Sequence, residues 1–297
     1  MSQAAVREVW NKPHTSGVAA FRDGRMAGFL LGQAKFETHR DRHVWIPLPG
    51  YALDEGEPAD LYADLYAAIG PEWLRLGAFD HYVMMPAEDR DGLDAWFTLS
   101  FGKQQAHAIY SLTGPLPEPV SVPGVAIRRA NEDDRDAFVD PMSPILRQHL
   151  AGPPVWGAAL PENVGPMREG FAEMLTDAAA HTWIAEAVDG GENERILGYQ
   201  LYFPASPADD NLTVSISERT VLLEVGATRP DARGRGIGRA LTAAGLADAA
   251  AGGYRLCITD WRTTNIEANR FWQRVGFQTA VFRLVRKVDP RITWATF

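Results

Sequence analysis

The stretch TRPDARGRGIGRAL, residues 228–241, carries three glycines and four arginines in fourteen positions. It lies two residues after the apolar run VLLEV and directly before the alanine-rich run TAAGLADAAA. A short apolar run bounded by turn residues reads as a buried strand, and the alanine-rich run reads as a helix. The glycines therefore form a tight strand-to-helix turn, which commits this part of the chain to mixed α/β layers around a sheet. Such a turn also gathers consecutive backbone N–H groups at a helix N-terminus, and no glycine side chain obstructs them. Phosphate or diphosphate suits that concavity. Arg233 and Arg235 add positive charge beside it, while Arg229 and Arg239 read as solvated flanks.

Spacing separates this turn from the better-known phosphate loops. No Gly-Lys-Ser/Thr follows, so no lysine reaches the terminal phosphates of a nucleoside triphosphate. The dinucleotide fingerprint needs glycine at 239, where the chain has Arg239. The pattern that fits is Arg/Gln-x-x-Gly-x-Gly/Ala, met by Arg233, Gly236 and Gly238.

With 297 residues the chain exceeds the usual size of one compact domain. The seam is expected at TGPLPEPVSVPG, residues 113–124, where four prolines and two glycines exclude a helix or a central strand. Two domains follow, 1–115 and 122–297. After the seam the order reads strand (VAIRRA), a helix capped by Asn131, a helix near 164–180 and three strands. A helix at about 236–251, the strand YRLCIT, a helix at about 265–275 and a final strand pair near 278–288 complete it. The first half repeats the latter part of this order: a hairpin about Asp23 and Gly24, the strand HVWIPLPGYAL, a helix with Leu61, Leu65, Ile69 and Trp73 on one face, the strand DHYVMMP, and a helix ending in Gly102. The segments NRFWQRVGF and DAWFTLSFG look like diverged copies.

Two motifs in the second half carry a family resemblance. RPDARGRGIGRAL resembles the pyrophosphate-binding motif of the GNAT superfamily, the acetyl-coenzyme A dependent N-acetyltransferases. NIEANRFWQRVGF resembles that family's second motif, with Asn265, Ala268, Phe271, Trp272, Gly276 and Phe277 at the corresponding places. The resemblance covers about 170 residues. It implies an α/β (α+β) fold of two tandem GNAT-like domains, each a central, mostly antiparallel mixed sheet flanked by helices. The corresponding turn of the first half, GYALDEGEPADLY, presents Asp54, Glu55 and Glu57, whose charge opposes a diphosphate. The first copy is therefore expected to be degenerate and the second to hold acetyl-CoA.

By this resemblance the backbone of Val225, Gly226, Ala227 and Thr228 pairs with the pantetheine arm, much as an added strand would. The segment Arg233, Gly234, Arg235, Gly236, Ile237, Gly238 and Arg239 holds the diphosphate, and Asn265, Ala268, Phe271 and Trp272 complete the cofactor site. Glu224, a carboxylate in an apolar strand, is the candidate base that frees the lone pair of an amine; an ion pair with a neighbouring arginine is the competing reading. The family often protonates the leaving thiolate with a tyrosine, but that place holds Trp272, which leaves water or Tyr254 as donors. Asp260 and Arg262 follow the strand YRLCIT, and Cys257 reads as buried filler. His149, Trp156, Asp209 and Asp210 are candidates to line the acceptor mouth.

Composition removes several classes. A single cysteine makes no internal disulfide, and the seven histidines show no zinc spacing; His39 and His43, four apart, read as an exposed hairpin, so no metal is expected. The formal charge of −9 opposes nucleic acid and anionic membranes as partners and favours a small cationic acceptor. No apolar run reaches membrane-spanning length, and no secretory signal opens the chain, which points to the cytoplasm, as monomer or homodimer. The activity implied is acetyl transfer from acetyl-CoA to a small amine by direct transfer in a ternary complex. A non-catalytic acyl-CoA-binding module stands against it, since Trp272 replaces the usual acid. Within enzymes, mycothiol-synthase-like and aminoglycoside-type N-acetyltransferases are the neighbouring alternatives.

Overall fold

A computed structural model describes residues 2–37, 41–135, 161–189, 195–205 and 219–294. The chain forms two compact units, residues 1–106 with 279–297 and residues 107–278. Each is a mixed sheet with helices packed against it. This division differs from the expected 1–115 and 122–297, because the last strand of the chain belongs to the first unit.

In the first unit, helix α1 (Gln3–Asn11) precedes the antiparallel hairpin of β1 (Thr15–Arg22) and β2 (Arg25–Glu37). Its two turn residues, Asp23 (φ 51°) and Gly24 (φ 79°), are both left-handed, as the twist of a two-residue hairpin requires. The expected strand HVWIPLPGYAL is broken. β3 (Asp41–Ile46) stops before Pro47, a 3-10 turn spans Leu48–Gly50, and β4 (Tyr51–Leu53) pairs with β2 instead. Proline has no N–H for a ladder, so Pro47 and Pro49 account for the break. Helix α2 (Leu61–Arg75), β5 (Asp80–Pro86) and α3 (Arg90–Thr98) follow, and β6 (Gly102–Ser111) begins in this unit and runs on into the second from His107. Neither α1 nor β6 is evident in the sequence pattern. β3 and β5 are parallel, from His43↔Asp80 to Ile46↔Val83.

The expected strand pair near 278–288 is one strand, β12 (Gln278–Lys287), antiparallel to β5 from Val281↔Pro86 to Lys287↔Asp80. Its Leu284 is fully buried with Leu30, Val44, Ile46, Val83, Trp73 and Trp96, beneath α2 and α3. His43 is also fully buried, its ring edge-on to Tyr82 at 5.5 Å, and so does not sit in an exposed hairpin; His39 lies outside the described residues.

In the second unit, β7 (Val125–Arg129) leads to Asn131, whose side chain accepts the Asp133 N–H while Asp134 accepts the Asn131 N–H. The rest of the expected first helix lies outside the described residues, as do the acceptor-mouth candidates His149, Trp156, Asp209 and Asp210. Helix α4 (Pro161–Thr176) ends earlier than the expected 180. β8 (His181–Ala187), β9 (Ile196–Pro204) and β10 (Thr220–Thr228) form an antiparallel run beside β7. Helix α5 (Ile237–Ala251) crosses to β11 (Leu256–Arg262), parallel to β10, and α6 (Ile266–Val275) follows.

The proline-rich segment is docked rather than free. Val122 is buried with Ala232, Ile237, Ala240 and Leu241, and Val120 packs against the same cluster. The Tyr110 hydroxyl donates to the Pro115 carbonyl at 3.0 Å. Its prolines bar a ladder, but its valines still bury apolar surface on α5.

Candidate functional site

The site starts where two parallel strands stop sharing a register. β10 and β11 pair from Thr220↔Leu256 to Leu223↔Thr259, and the Thr259 hydroxyl donates to the Leu223 carbonyl at 2.9 Å. β10 then continues to Thr228, paired on its other side with β9 from Val225↔Leu201 to Thr228↔Gly198. The register with β9 shifts between Leu223 and Val225, so Glu224 occupies a β-bulge, where it is exposed. Gly226 is required by close approach: a Cβ there would lie 2.9 Å from Cγ of Gln200.

Beyond Thr228 a 3-10 turn, Pro230–Ala232, delivers the chain to the glycine loop. Gly234 (φ 76°) and Gly236 (φ 93°) take left-handed conformations that other residues adopt only with strain. Gly236 is the N-cap residue of α5 and provides no side-chain cap. Among the described residues, the N–H groups of Gly234, Arg235, Gly236, Ile237, Gly238 and Arg239 have no protein acceptor; the next, Ala240, donates to the Gly236 carbonyl. Six successive donors at the positive end of a helix dipole form a nest for an anion. Gly238 has a packing reason as well, since a Cβ would stand 3.2 Å from the Phe271 ring.

A buried polar chain holds the first turn of α5 in place. Tyr202 donates to Gln200 Oε1 (2.7 Å), Gln200 Nε2 to Thr242 Oγ1 (2.9 Å), and Thr242 to the Gly238 carbonyl (2.8 Å). Burial pushes the Tyr202 phenol well above its usual range and keeps it a donor.

The four arginines of the loop have different surroundings. Arg233 donates from Nε to the Thr228 carbonyl (3.3 Å) and pairs through Nη1 with Glu267 (3.2 Å), while its Nη2 is buried without an acceptor. Arg235 donates to the Pro123 carbonyl (3.3 Å). Arg229 pairs with Asp231, and Arg239 is exposed.

In the second motif, Asn265 caps α6 by accepting the Ala268 N–H at 3.0 Å. Phe271 and Trp272 lie edge to face at 4.8 Å, and Trp272 meets Phe277 at 5.3 Å. Gly276 (φ 108°) ends the helix, where a Cβ would lie 3.1 Å from the Tyr110 ring. Trp272 is thus a buried packing residue.

Tyr254 does not reach the site. It follows the far end of α5, a 15-residue helix and so about 22 Å long, away from the loop at its start. Cys257 is fully buried, and burial pushes its thiol up, which makes it a poor nucleophile. Asp260 and Arg262 lie within β11, not after it. Asp260 is the first β11 residue past the shared register, and His107 of β6, which the sequence reading passed over, lies behind it with Nδ1 4.0 Å from its carboxylate. No local pattern marks His107; only strand pairing brings it there.

The first unit treats the equivalent positions differently. Past Ile46↔Val83, the Tyr51 hydroxyl donates to the Met84 carbonyl at 2.6 Å and occupies the edge of β5. Two of the three turn acids are paired, Glu57 with Arg22 and Asp54 with Arg25. The first N–H groups of α2 are occupied, Leu61 by Pro58, Tyr62 by Ala59 and Ala63 by Asp60.

Among the described residues, no cluster of histidine, cysteine and acidic groups could hold a metal, and no helix is long and apolar enough to cross a membrane. Residues 147–277 match the Acetyltransferase (GNAT) family. A GCN5-related N-acetyltransferase from Sphaerobacter thermophilus superposes with TM-score 0.60 at 16% identity, over 96% of this chain and 85% of that one. A tandem GNAT protein from the clavulanic acid biosynthesis pathway gives 0.51 at 13%, over 94% and 85%. A fungal glucosamine N-acetyltransferase region of a multi-domain β-N-acetylglucosaminidase gives 0.53 at 15%, over 94% of this chain and 34% of that one. Identities this low establish a shared fold. A search of curated protein sequences gave no match.

Proposed function

Because residues 147–277 form a GNAT-family domain, we propose that the chain transfers an acetyl group from acetyl-CoA to the amine of a small molecule, by direct transfer in a ternary complex. The observation that carries this reading is the run of six unpaired N–H groups from Gly234 to Arg239, directly after a strand that has left its parallel partner. The first unit has no such run at α2. The residues present fit a coenzyme A diphosphate: donors in sequence, glycines that clear the approach, and a buried Arg233 nitrogen that lacks an acceptor. Val225, Gly226, Ala227 and Thr228 offer the pantetheine arm the edge of β10 that no longer pairs with β11. The Phe271 ring lies against Gly238 at the start of α5, with Trp272 edge to face against it.

Glu224, exposed in the bulge at the point of separation, takes the proton of the acceptor ammonium directly or through water. The freed nitrogen lone pair attacks the thioester carbon and the N–C bond forms; the nitrogen then gives its extra proton to water as the C–S bond breaks. The thiolate leaves and takes its proton from water, since Trp272 has none to give and Tyr254 is remote. The net charge of −9 suits a cationic acceptor, and a cytoplasmic monomer or homodimer accommodates this chemistry.

A thiol-release assay with acetyl-CoA over a panel of small amines tests the reading. Turnover on at least one amine is expected. Tight acetyl-CoA binding with no thiol released on any amine would favour a non-catalytic acyl-CoA-binding module.

A further inference from the structure

Arg233 is held through two of its guanidinium nitrogens, and the third is unsatisfied. Its Nε meets the Thr228 carbonyl at 3.3 Å and its Nη1 meets Glu267 Oε2 at 3.2 Å, but its buried Nη2 meets no acceptor. A buried guanidinium nitrogen without an acceptor is unfavourable, so the arrangement lacks one acceptor the chain does not supply. The partner carboxylate is easily moved: the Glu267 side chain is 64% exposed against 29% for Arg233. It projects from the first turn of α6, while the six unpaired donors begin one residue after Arg233.

An anion on those donors is attracted by the guanidinium and repelled by the carboxylate that already holds it. We infer that Glu267 is a charge gate on the loop. It occupies Arg233 when the site is empty, gives way when a diphosphate arrives, and so sets the affinity and salt sensitivity of cofactor binding. This rests on the reading that the loop holds the diphosphate of coenzyme A. An exposed ion pair costs little to break, so the gate is graded, and salt screens it.

The test is calorimetry on the full chain with coenzyme A and with pantetheine, which lacks the diphosphate, at low salt and at about 0.5 M salt. Glu267→Gln should bind coenzyme A about threefold to tenfold tighter at low salt, with the gain shrinking at high salt and pantetheine binding unchanged. Asp231→Asn, which removes the Arg229 ion pair instead, should stay within about twofold of wild type. Equal or weaker coenzyme A binding by Glu267→Gln overturns the gate. So does weakening of both ligands, which makes Glu267 a structural member. Wild-type protein that binds no coenzyme A overturns the underlying reading, and that result needs no variant.

Discussion

Both units build a parallel strand pair joined through a helix, yet only one leaves the N–H groups at that junction unpaired. In the second unit β10 runs on past Leu223↔Thr259 through a bulge and enters α5 with six donors in succession unpaired. In the first, prolines break the strand after Ile46, Tyr51 is bonded to the Met84 carbonyl, and α2 begins with its leading N–H groups already bonded to Pro58, Ala59 and Asp60. Acids there are matched by Arg22 and Arg25. The difference teaches that the supersecondary unit does not itself make an anion site. Left-handed glycines keep helix donors free in one copy, and a 3-10 entry with an aromatic plug consumes them in the other.

If the first unit is a packed scaffold, it should fail first in acid. His81 is buried between the Tyr66 hydroxyl at Nδ1 (2.6 Å) and the Ala78 carbonyl at Nε2 (3.0 Å), and burial lowers its pKa to about 4. Asp80 acts weakly against that shift, and Arg286 adds to it. The unfolded imidazole takes a proton near 6.5 but the folded one does not, so stability is full above that pH and falls as pH drops toward 4. The loss is about 3 kcal/mol. Urea unfolding between pH 4 and 7 should show this slope in wild type and a flatter one in His81→Gln; a flat wild-type profile would remove the contrast.

In the second unit, Glu224→Gln should lower kcat by about a hundredfold or more if Glu224 is the base. Near-normal turnover across pH would sink that role. Importing the first unit's chemistry with Gly236→Asp combines a strained left-handed residue with a carboxylate among the donors, and coenzyme A affinity should fall about tenfold or more. An unchanged affinity would show that the N–H run does not bind the diphosphate. The reverse exchange should do least. Asp54→Asn with Glu55→Gln and Glu57→Gln removes the acids but not the Tyr51 plug or the α2 carbonyl partners, so no second coenzyme A should bind and the Tm should stay within about 2 °C. A binding stoichiometry of two would mean that charge alone separates the copies.

Local pattern revealed the elements whose cause is local. The glycine turn, the Asn131 and Asn265 caps and the hairpin at Asp23 and Gly24 each follow from residues within a few positions. What escaped depends on distant partners. β6, with its mixed KQQAHAIYS pattern, becomes a strand through its neighbours, and His107 reaches Asp260 only through that pairing. Gly238 reads as a path for phosphate, yet its contact with Phe271 joins two motifs far apart in sequence. Tyr254 looked available because sequence spacing hides the length of a helix. The break at Pro47 was legible in principle, since two prolines within HVWIPLPGYAL forbid a continuous ladder.

The position of β12 bears on how the chain comes to be folded. The first unit contains residues 1–106, but Leu284, fully buried in its core, is translated after the whole second unit. During synthesis the N-terminal segment must wait, its core short of a strand, while the segment that follows it can already collect its own contacts. The second unit is thus positioned to mature first, against the usual N-to-C order.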